Sequence, residues 1–121
     1  MANASLLVTW GNPIPGRENQ ALEIFMGIVQ KYTGLQAEGK IERHSVHMAT
    51  SGNTNDFAGA MIVEGEITQL RELIHSDWYR DTIVTARHLV DNINEVHCTT
   101  GDAIQGNITR VVKVRKELGI T

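Results

Sequence analysis

The stretch FAGAMIVEG, from Phe57 to Gly65, decides the fold of this chain. It is short and almost wholly apolar, and it follows TSGNTND, a run of turn-forming residues. Its composition predicts a strand from Phe57 to Glu64. A strand with one face in water would alternate between apolar and polar residues, whereas a near-continuous apolar run is typical of a strand covered on both faces. We therefore expect both faces of its sheet to be buried.

The residues before this strand predict two further strands and a helix. Residues 6–10 are apolar and end at the turn-forming GNPIPG, which predicts the first strand. Residues 17–33 carry apolar side chains three and four positions apart, so they predict a helix, with Gly34 just past its end. LQAEGK is expected to be a loop. Residues 41–49 lack helical periodicity and predict a strand that forms a hairpin with residues 57–64.

The residues after this strand complete the order of elements. Residues 66–90 carry two apolar stripes interrupted at HSDWY, where Ser76 and Asp77 are favourable N-cap residues, so we expect one bent helix or two helices. Residues 93–100 predict a fourth strand, and residues 106–119 predict a last helix that ends at Gly119.

The order βαββαβ predicts an α+β, ferredoxin-like fold with an antiparallel sheet in the strand order 4-1-3-2 and both helices on one face. The 121 residues predict a single domain over residues 1–121, with a core at 5–100 and a C-terminal helical extension at 106–119.

Composition excludes several classes of function. The net charge of −3 offers no basic field for nucleic acid. Cys98 is the only cysteine, so no disulfide can form within the chain, and a reducing cytoplasm is the expected compartment. No apolar run approaches the ~20 residues that would span a bilayer. We find no pattern of metal ligands, no nucleotide-binding loop and no nucleophile motif, so we expect neither a metal nor a cofactor.

Alternation along the strands divides the predicted sheet into two faces. The bulkier set is assigned to the face beneath the helices and comprises Leu6, Val8, Trp10, His44, Val46, Met48, Phe57, Met61, Val63, Val96 and Cys98. The opposite face, called the second face here, receives Ser5, Leu7, Thr9, Arg43, Ser45, His47, Ala49, Ala58, Ala60, Ile62, Glu64, Glu95, His97 and Thr99.

Two histidines in IERHSVHMA, His44 and His47, invite a metal-site interpretation. A separation of three along a strand places them on opposite sides of the sheet, so they cannot share a metal ion. His44 is interpreted as a hydrogen-bonded residue at the edge of the helix-covered core. His47 lies on the second face.

The second face is apolar at its centre, where Leu7, Ala58, Ala60 and Ile62 lie, and such a patch is not expected to stay in water. The chain has no third layer to cover it. The simplest cover is the same face of a second copy across a two-fold axis, which predicts a homodimer.

The order of elements and the segment EGEITQLRELIHSDWYRD, residues 64–81, resemble the dimeric α/β-barrel superfamily over residues 5–100. That superfamily contains cofactor-free antibiotic-biosynthesis monooxygenases, muconolactone isomerases, stress-responsive barrels and haem-degrading enzymes. The resemblance implies sheet-to-sheet pairing and a pocket between helices and sheet or within the barrel. It does not define the chemistry, because one fold hosts many functions. Haem members use a helical histidine, but His75 and His88 fall on different sides of the predicted helix.

Three classes of function remain open. In the first, the dimer acts on a small aromatic or enolisable metabolite as a cofactor-free monooxygenase or isomerase, with His47 or His97 as general base. In the second, it binds a small apolar metabolite without catalysis. In the third, it is a structural or regulatory dimer with a filled interior. Apolar walls with a few polar groups are typical of a ligand pocket, and the predicted ligand-binding residues are Thr9, Arg43, Ser45, Ile62 and Glu64.

Overall fold

The computed structural model describes residues 2–120 as an α+β fold. In chain order the elements are β1 Ala4–Trp10, α1 Glu18–Ala37, β2 Arg43–Met48, β3 Gly59–Gly65, α2 Ile67–His75, α3 Asp77–Arg87, β4 Asn94–Thr99 and α4 Ala103–Glu117. The strands form one antiparallel sheet in the order β2-β3-β1-β4, which confirms the predicted ferredoxin-like topology and strand order. The predicted domain limits, residues 1 and 121, lie outside the described residues.

The core lies between one face of the sheet and the helices α1, α2 and α3. Leu6 of β1 and Val63 of β3 pair directly across the sheet and are almost completely buried, at 0% and 1% exposure. Directly paired residues project to the same side, so this pair identifies the helix-covered face. The buried cluster around it comprises Ala4, Leu6, Tyr32, Ile41, Met61, Val63, Leu70, Leu73 and Tyr79.

Helix α1 continues past the predicted end at Gly34. It runs to Ala37, so the first residues of LQAEGK are helical and the predicted loop there is wrong. The residue that ends the helix is Gly39, whose φ of +74° is the left-handed conformation that glycine adopts without strain. The Gly39 amide donates to the Gln36 carbonyl, and the Lys40 amide donates to the Leu35 carbonyl.

The predicted interruption after residue 75 separates two helices, α2 and α3. Ser76 has extended backbone angles, and its hydroxyl accepts a hydrogen bond from the Tyr79 amide at 3.2 Å. The same hydroxyl donates to the Leu73 carbonyl at 2.6 Å. Ser76 therefore caps one helix and terminates the other, as expected for an N-cap serine.

The predicted C-terminal helix is present and begins three residues early, at Ala103. It ends before Gly119, whose φ is +72°, as the sequence predicts. None of its residues is buried, and its valines and isoleucines are 42–55% exposed, among them Ile108 at 49%. Leu118, which directly follows the helix, is 68% exposed. Across residues 2–120, no helix is both long enough and apolar enough to cross a membrane.

Candidate ligand-binding cavity

A cavity of about 360 Å³ lies between α1, α3 and the helix-covered face of the sheet. It follows α1 from Glu18 to Tyr32, and α3 forms the facing wall from Trp78 to Ala86. The floor and the end come from strands and from the residues that flank them: Val8, Trp10, Gly11, Pro13, Met48, Ala58, Met61, Val63, Val90 and Ile93. This volume suits a small organic molecule.

The apolar periodicity of the two helices makes the cavity walls. Ala21, Phe25, Ile28 and Tyr32 recur three and four positions apart on α1, so they share the face turned to the sheet. On α3, Tyr79, Ile83 and Ala86 have the same spacing. Because both helices carry these stripes toward the same space without filling it, the walls are almost entirely hydrocarbon.

Aromatic rings line both ends of the cavity. The Trp10 and Phe25 rings meet edge to face with centroids 5.9 Å apart, and Tyr32 and Trp78 do so at 5.5 Å. The Trp10 ring lies directly over Gly59, where an added Cβ would be 2.7 Å from a ring carbon. Glycine at position 59 therefore gives the indole its place on the cavity wall.

One tyrosine on the wall is fixed by a carboxylate. The Tyr79 hydroxyl donates to Glu95 Oε1 at 2.5 Å, and Arg87 Nη2 donates to Glu95 Oε2 at 3.0 Å. Burial raises the pKa of Tyr79 far above the ordinary value of 10.0, and the hydrogen bond to Glu95 raises it further. Tyr79 therefore remains protonated at neutral pH, with its proton directed at Glu95.

The second tyrosine, Tyr32, is 4% exposed and makes ring contacts with His44 and Trp78. Burial raises the pKa of its hydroxyl, and the Glu95 carboxylate adds to the increase. A phenol in this state donates a hydrogen bond and does not act as a base at neutral pH. The cavity can therefore bind an apolar molecule and orient it through a phenol.

Most of the residues predicted for the site lie together on the second face, away from this cavity. Register places Ser45, Ile62 and Leu7 in one row across the sheet, and His47, Ala60 and Thr9 in the next. Arg43 Nε donates to Glu64 Oε2, and this hydrogen bond lowers the pKa of Glu64. Ser45 Oγ lies 3.4 Å from His47 Nε2. None of Thr9, Arg43, Ser45, His47, Ile62 and Glu64 lines the cavity.

The face predicted for His97 is wrong. His97 pairs with Leu6, and Glu95 pairs with Val8, so both lie on the helix-covered face, with Thr99 beside Ala4. Val96 and Cys98 therefore lie on the second face. Alternation separates the two faces of a strand but does not say which one meets the helices. At this edge Tyr79 and Arg87 provide polar partners, so a carboxylate points toward the helices.

His47 and His97 consequently lie on opposite sides of the sheet and cannot act on one bound molecule within a subunit. His97 is exposed at its edge of the sheet and does not line the cavity. His44 lies on the helix-covered face, where its Nδ1 is 2.7 Å from Gln36 Oε1. No group of three or more potential metal-binding side chains occurs within residues 2–120.

In the sequence, Tyr32 belongs to the apolar stripe of the first helix, and Tyr79 lies in the HSDWY interruption. The sequence does contain a feature that indicates a polar group in the core, because both of its tyrosines occupy core-facing helix positions. A buried phenol needs a partner for its hydroxyl, so tyrosines in an apolar stripe indicate polar chemistry inside the core. The partner of Tyr79, Glu95, depends on the register of β4, which the sequence does not specify.

The fold is shared with solved structures of low sequence identity. A conserved protein from Methanosarcina mazei matches with a TM-score of 0.62 and 11% identity, over 82% of this chain and 94% of that one. A dimeric protein of unknown function with a ferredoxin-like fold from Bacteroides fragilis matches with a TM-score of 0.59 and 9% identity, over 80% of this chain and 95% of that one. A candidate antibiotic biosynthesis monooxygenase from Deinococcus radiodurans matches with a TM-score of 0.59 and 14% identity, over 85% of this chain and 95% of that one.

At these identities the likeness shows the ferredoxin-like fold, in agreement with the resemblance stated from the sequence. No protein-family model matches the chain, and no curated protein matches it. The function must therefore be argued from the cavity and from the two faces of the sheet.

Proposed function

We propose that this protein is a small homodimeric barrel protein that binds a small apolar or aromatic metabolite in the cavity between α1, α3 and the sheet. The observation that carries the proposal is the cavity itself, about 360 Å³ of space walled by hydrocarbon and aromatic side chains. The cavity is partly open to solvent, and an apolar recess of this size on a small domain is typical of a place where another molecule binds. Its mostly apolar walls with a few polar groups fit a small-molecule site.

Titration calorimetry with tetralin, a compact bicyclic hydrocarbon, tests this proposal. We expect one molecule to bind per chain, with a dissociation constant on the order of 10–100 μM for a small hydrocarbon. Ala86→Phe on α3 fills the cavity and should abolish binding, and Ile28→Trp does the same from α1. Val84→Phe is the matched control, since Val84 is 55% exposed and does not line the cavity. Circular dichroism establishes that each variant is folded, and undiminished binding by both folded cavity variants would reject the site.

The homodimer is supported by apolar surface on the second face. Leu7 and Ile62 are only half-buried, and Val96, in the same row, is 46% exposed. A two-fold pairing of second faces removes this surface from water, and the dimeric Bacteroides fragilis protein has the same fold.

Sedimentation velocity at micromolar concentration tests the dimer. Ile62→Asp places a charge at the centre of the second face and should shift the protein to the monomer. Val84→Asp adds the same charge on the exposed side of α3 and should leave the dimer intact. A monomeric wild-type protein, or an Ile62→Asp variant that remains dimeric, would reject pairing through this face.

A second candidate function is a cofactor-free monooxygenase or isomerase in which His47, or His97, acts as general base. It is favoured by the Ser45–His47 contact beside the Arg43–Glu64 pair, which places polar groups along one edge of the second face. The fold is also that of the candidate monooxygenase from Deinococcus radiodurans.

Oxygen uptake with an enolisable ketone such as anthrone tests this candidate. His47→Ala should abolish uptake above the uncatalysed rate without changing the dimer, and His97→Ala should leave it unchanged if His47 is the base. Equal rates in wild type and both variants would reject both histidines. The remaining alternative, a structural or regulatory dimer, predicts no uptake and no bound hydrocarbon.

A further inference from the structure

One end of the cavity contains a phenol without a hydrogen-bond partner in the protein. The Tyr32 hydroxyl makes no hydrogen bond with any residue in the described range 2–120, although Tyr32 is only 4% exposed. In the same range the only completely buried side-chain oxygen or nitrogen without a partner is Thr100 Oγ1. The Tyr32 oxygen is therefore not sealed in hydrocarbon and still meets open space, and Tyr32 lines the cavity.

Other polar groups on the cavity wall are less suited to recognition. The Tyr79 proton is already donated to Glu95. The Thr82 hydroxyl and the indole groups of Trp10 and Trp78 belong to side chains that are only half-buried, so water can reach them. The Tyr32 hydroxyl is a donor that no protein group uses, on the wall of an otherwise apolar cavity, and a bound acceptor can take its proton in place of water.

The charge around the cavity selects the kind of acceptor. None of the cavity-lining residues in the described range is a lysine, arginine or histidine, and Glu18 lies on the wall at the end opposite Tyr32. An anionic ligand would meet the Glu18 carboxylate and would lose its hydration in an apolar space without gaining a cation partner on the wall. A neutral oxygen acceptor meets neither penalty.

We infer that the cavity takes a neutral, mostly hydrocarbon ring compound with one carbonyl-type oxygen, and that Tyr32 determines this specificity by donating its hydroxyl proton to that oxygen. This inference rests on the proposed ligand-binding function and adds the ligand class and the orienting residue. Tyr32 on α1, stacked edge to face on Trp78, is held in place by its ring contacts, so the donor is positioned before the ligand arrives.

Paired ligands separate this inference from the proposed function. Tetralin and 1-tetralone share one ring skeleton and differ in a single carbonyl group, so calorimetry with both isolates the contribution of that oxygen. We expect Tyr32→Phe to weaken 1-tetralone binding about five- to tenfold, as the loss of one hydrogen bond predicts, and to leave tetralin binding unchanged. Since the Tyr32 hydroxyl has no partner in the protein, we expect the variant to fold.

An infrared spectrum of bound 1-tetralone provides a second readout. In the wild-type protein the carbonyl stretch should lie at lower frequency than in a hydrocarbon solvent, and Tyr32→Phe should restore the solvent value. Equal affinities and equal carbonyl frequencies in the two proteins would overturn the role of Tyr32 while leaving the cavity a ligand site. Failure of both compounds to bind the wild-type protein would overturn the proposed function and this inference together.

Discussion

The Tyr79 hydroxyl donates a hydrogen bond to Glu95 Oε1 at 2.5 Å and thereby connects the first turn of α3 to the edge strand β4. Arg87 binds the other carboxylate oxygen from the last turn of the same helix. The Glu95 carboxylate is therefore bound by a residue from each end of α3, and the Glu95 side chain is only 24% exposed. Of these three residues Tyr79 lines the cavity, so the cluster fixes one residue of the cavity wall.

Tyr79→Phe is predicted to destabilise the protein by about 1–2 kcal/mol, because it removes a hydrogen bond to a partly buried carboxylate. Tyr32→Phe is the matched control. It deletes the same atom from a buried tyrosine that has no hydrogen-bond partner, so we expect a change below about 0.5 kcal/mol. Urea denaturation followed by circular dichroism measures both. Equal losses in the two variants would contradict the role assigned to Glu95.

Alkaline titration is predicted to leave both tyrosines protonated while the protein is folded. Tyr32 and Tyr79 are the only tyrosines, and burial raises both pKa values above the ordinary 10.0. Phenolate absorbance should therefore be absent at pH 11 in the native protein and present in urea at that pH.

The same shifts give a pH dependence of stability. Above pH 10 the unfolded chain releases two protons that the folded protein keeps, so the free energy of unfolding should fall as the pH rises from about 10 toward 12. Below pH 10 this contribution is complete and constant. The Tyr32→Phe, Tyr79→Phe double variant should lose this dependence, and a wild-type slope that persists in the double variant would have another origin.

Gly59→Ala is predicted to destabilise the protein by about 1–3 kcal/mol, because the new methyl group would meet the Trp10 ring at 2.7 Å. The displaced indole should also change the tryptophan fluorescence. Gly27→Ala is the control: position 27 lies inside α1 with open space around it, so alanine should stabilise the helix by about 0.5–1 kcal/mol. A neutral Gly59→Ala variant would show that Trp10 does not need this close approach.

The fold could be predicted from local patterns, because apolar periodicity and turn residues determine each element separately. Errors occurred where the outcome depends on contacts between distant residues. Gly34 is a residue type that often ends helices, but α1 continues past it, and the left-handed glycine that follows the helix is Gly39. For β4, the side that meets the helices depends on Tyr79 and Arg87, which lie on another element.

The candidate site was harder to predict than the fold. Polar side chains on the second face resemble a pocket lining when only the sequence is considered, and alternation along β2 does place Arg43, Ser45 and His47 on that face. The cavity has no such signature, because its walls are ordinary core residues. Whether a core is filled depends on the volumes of facing side chains and the separation of the helices, and neither can be derived from periodicity.

Nuclear Overhauser effects between bound tetralin and labelled methyl groups test the central claim most directly. The account predicts contacts from tetralin protons to the methyl groups of Ile28 and Ile83, which line the cavity on opposing helices. Contacts confined to Leu7 and Ile62, on the second face, would contradict it and place the ligand between the sheets.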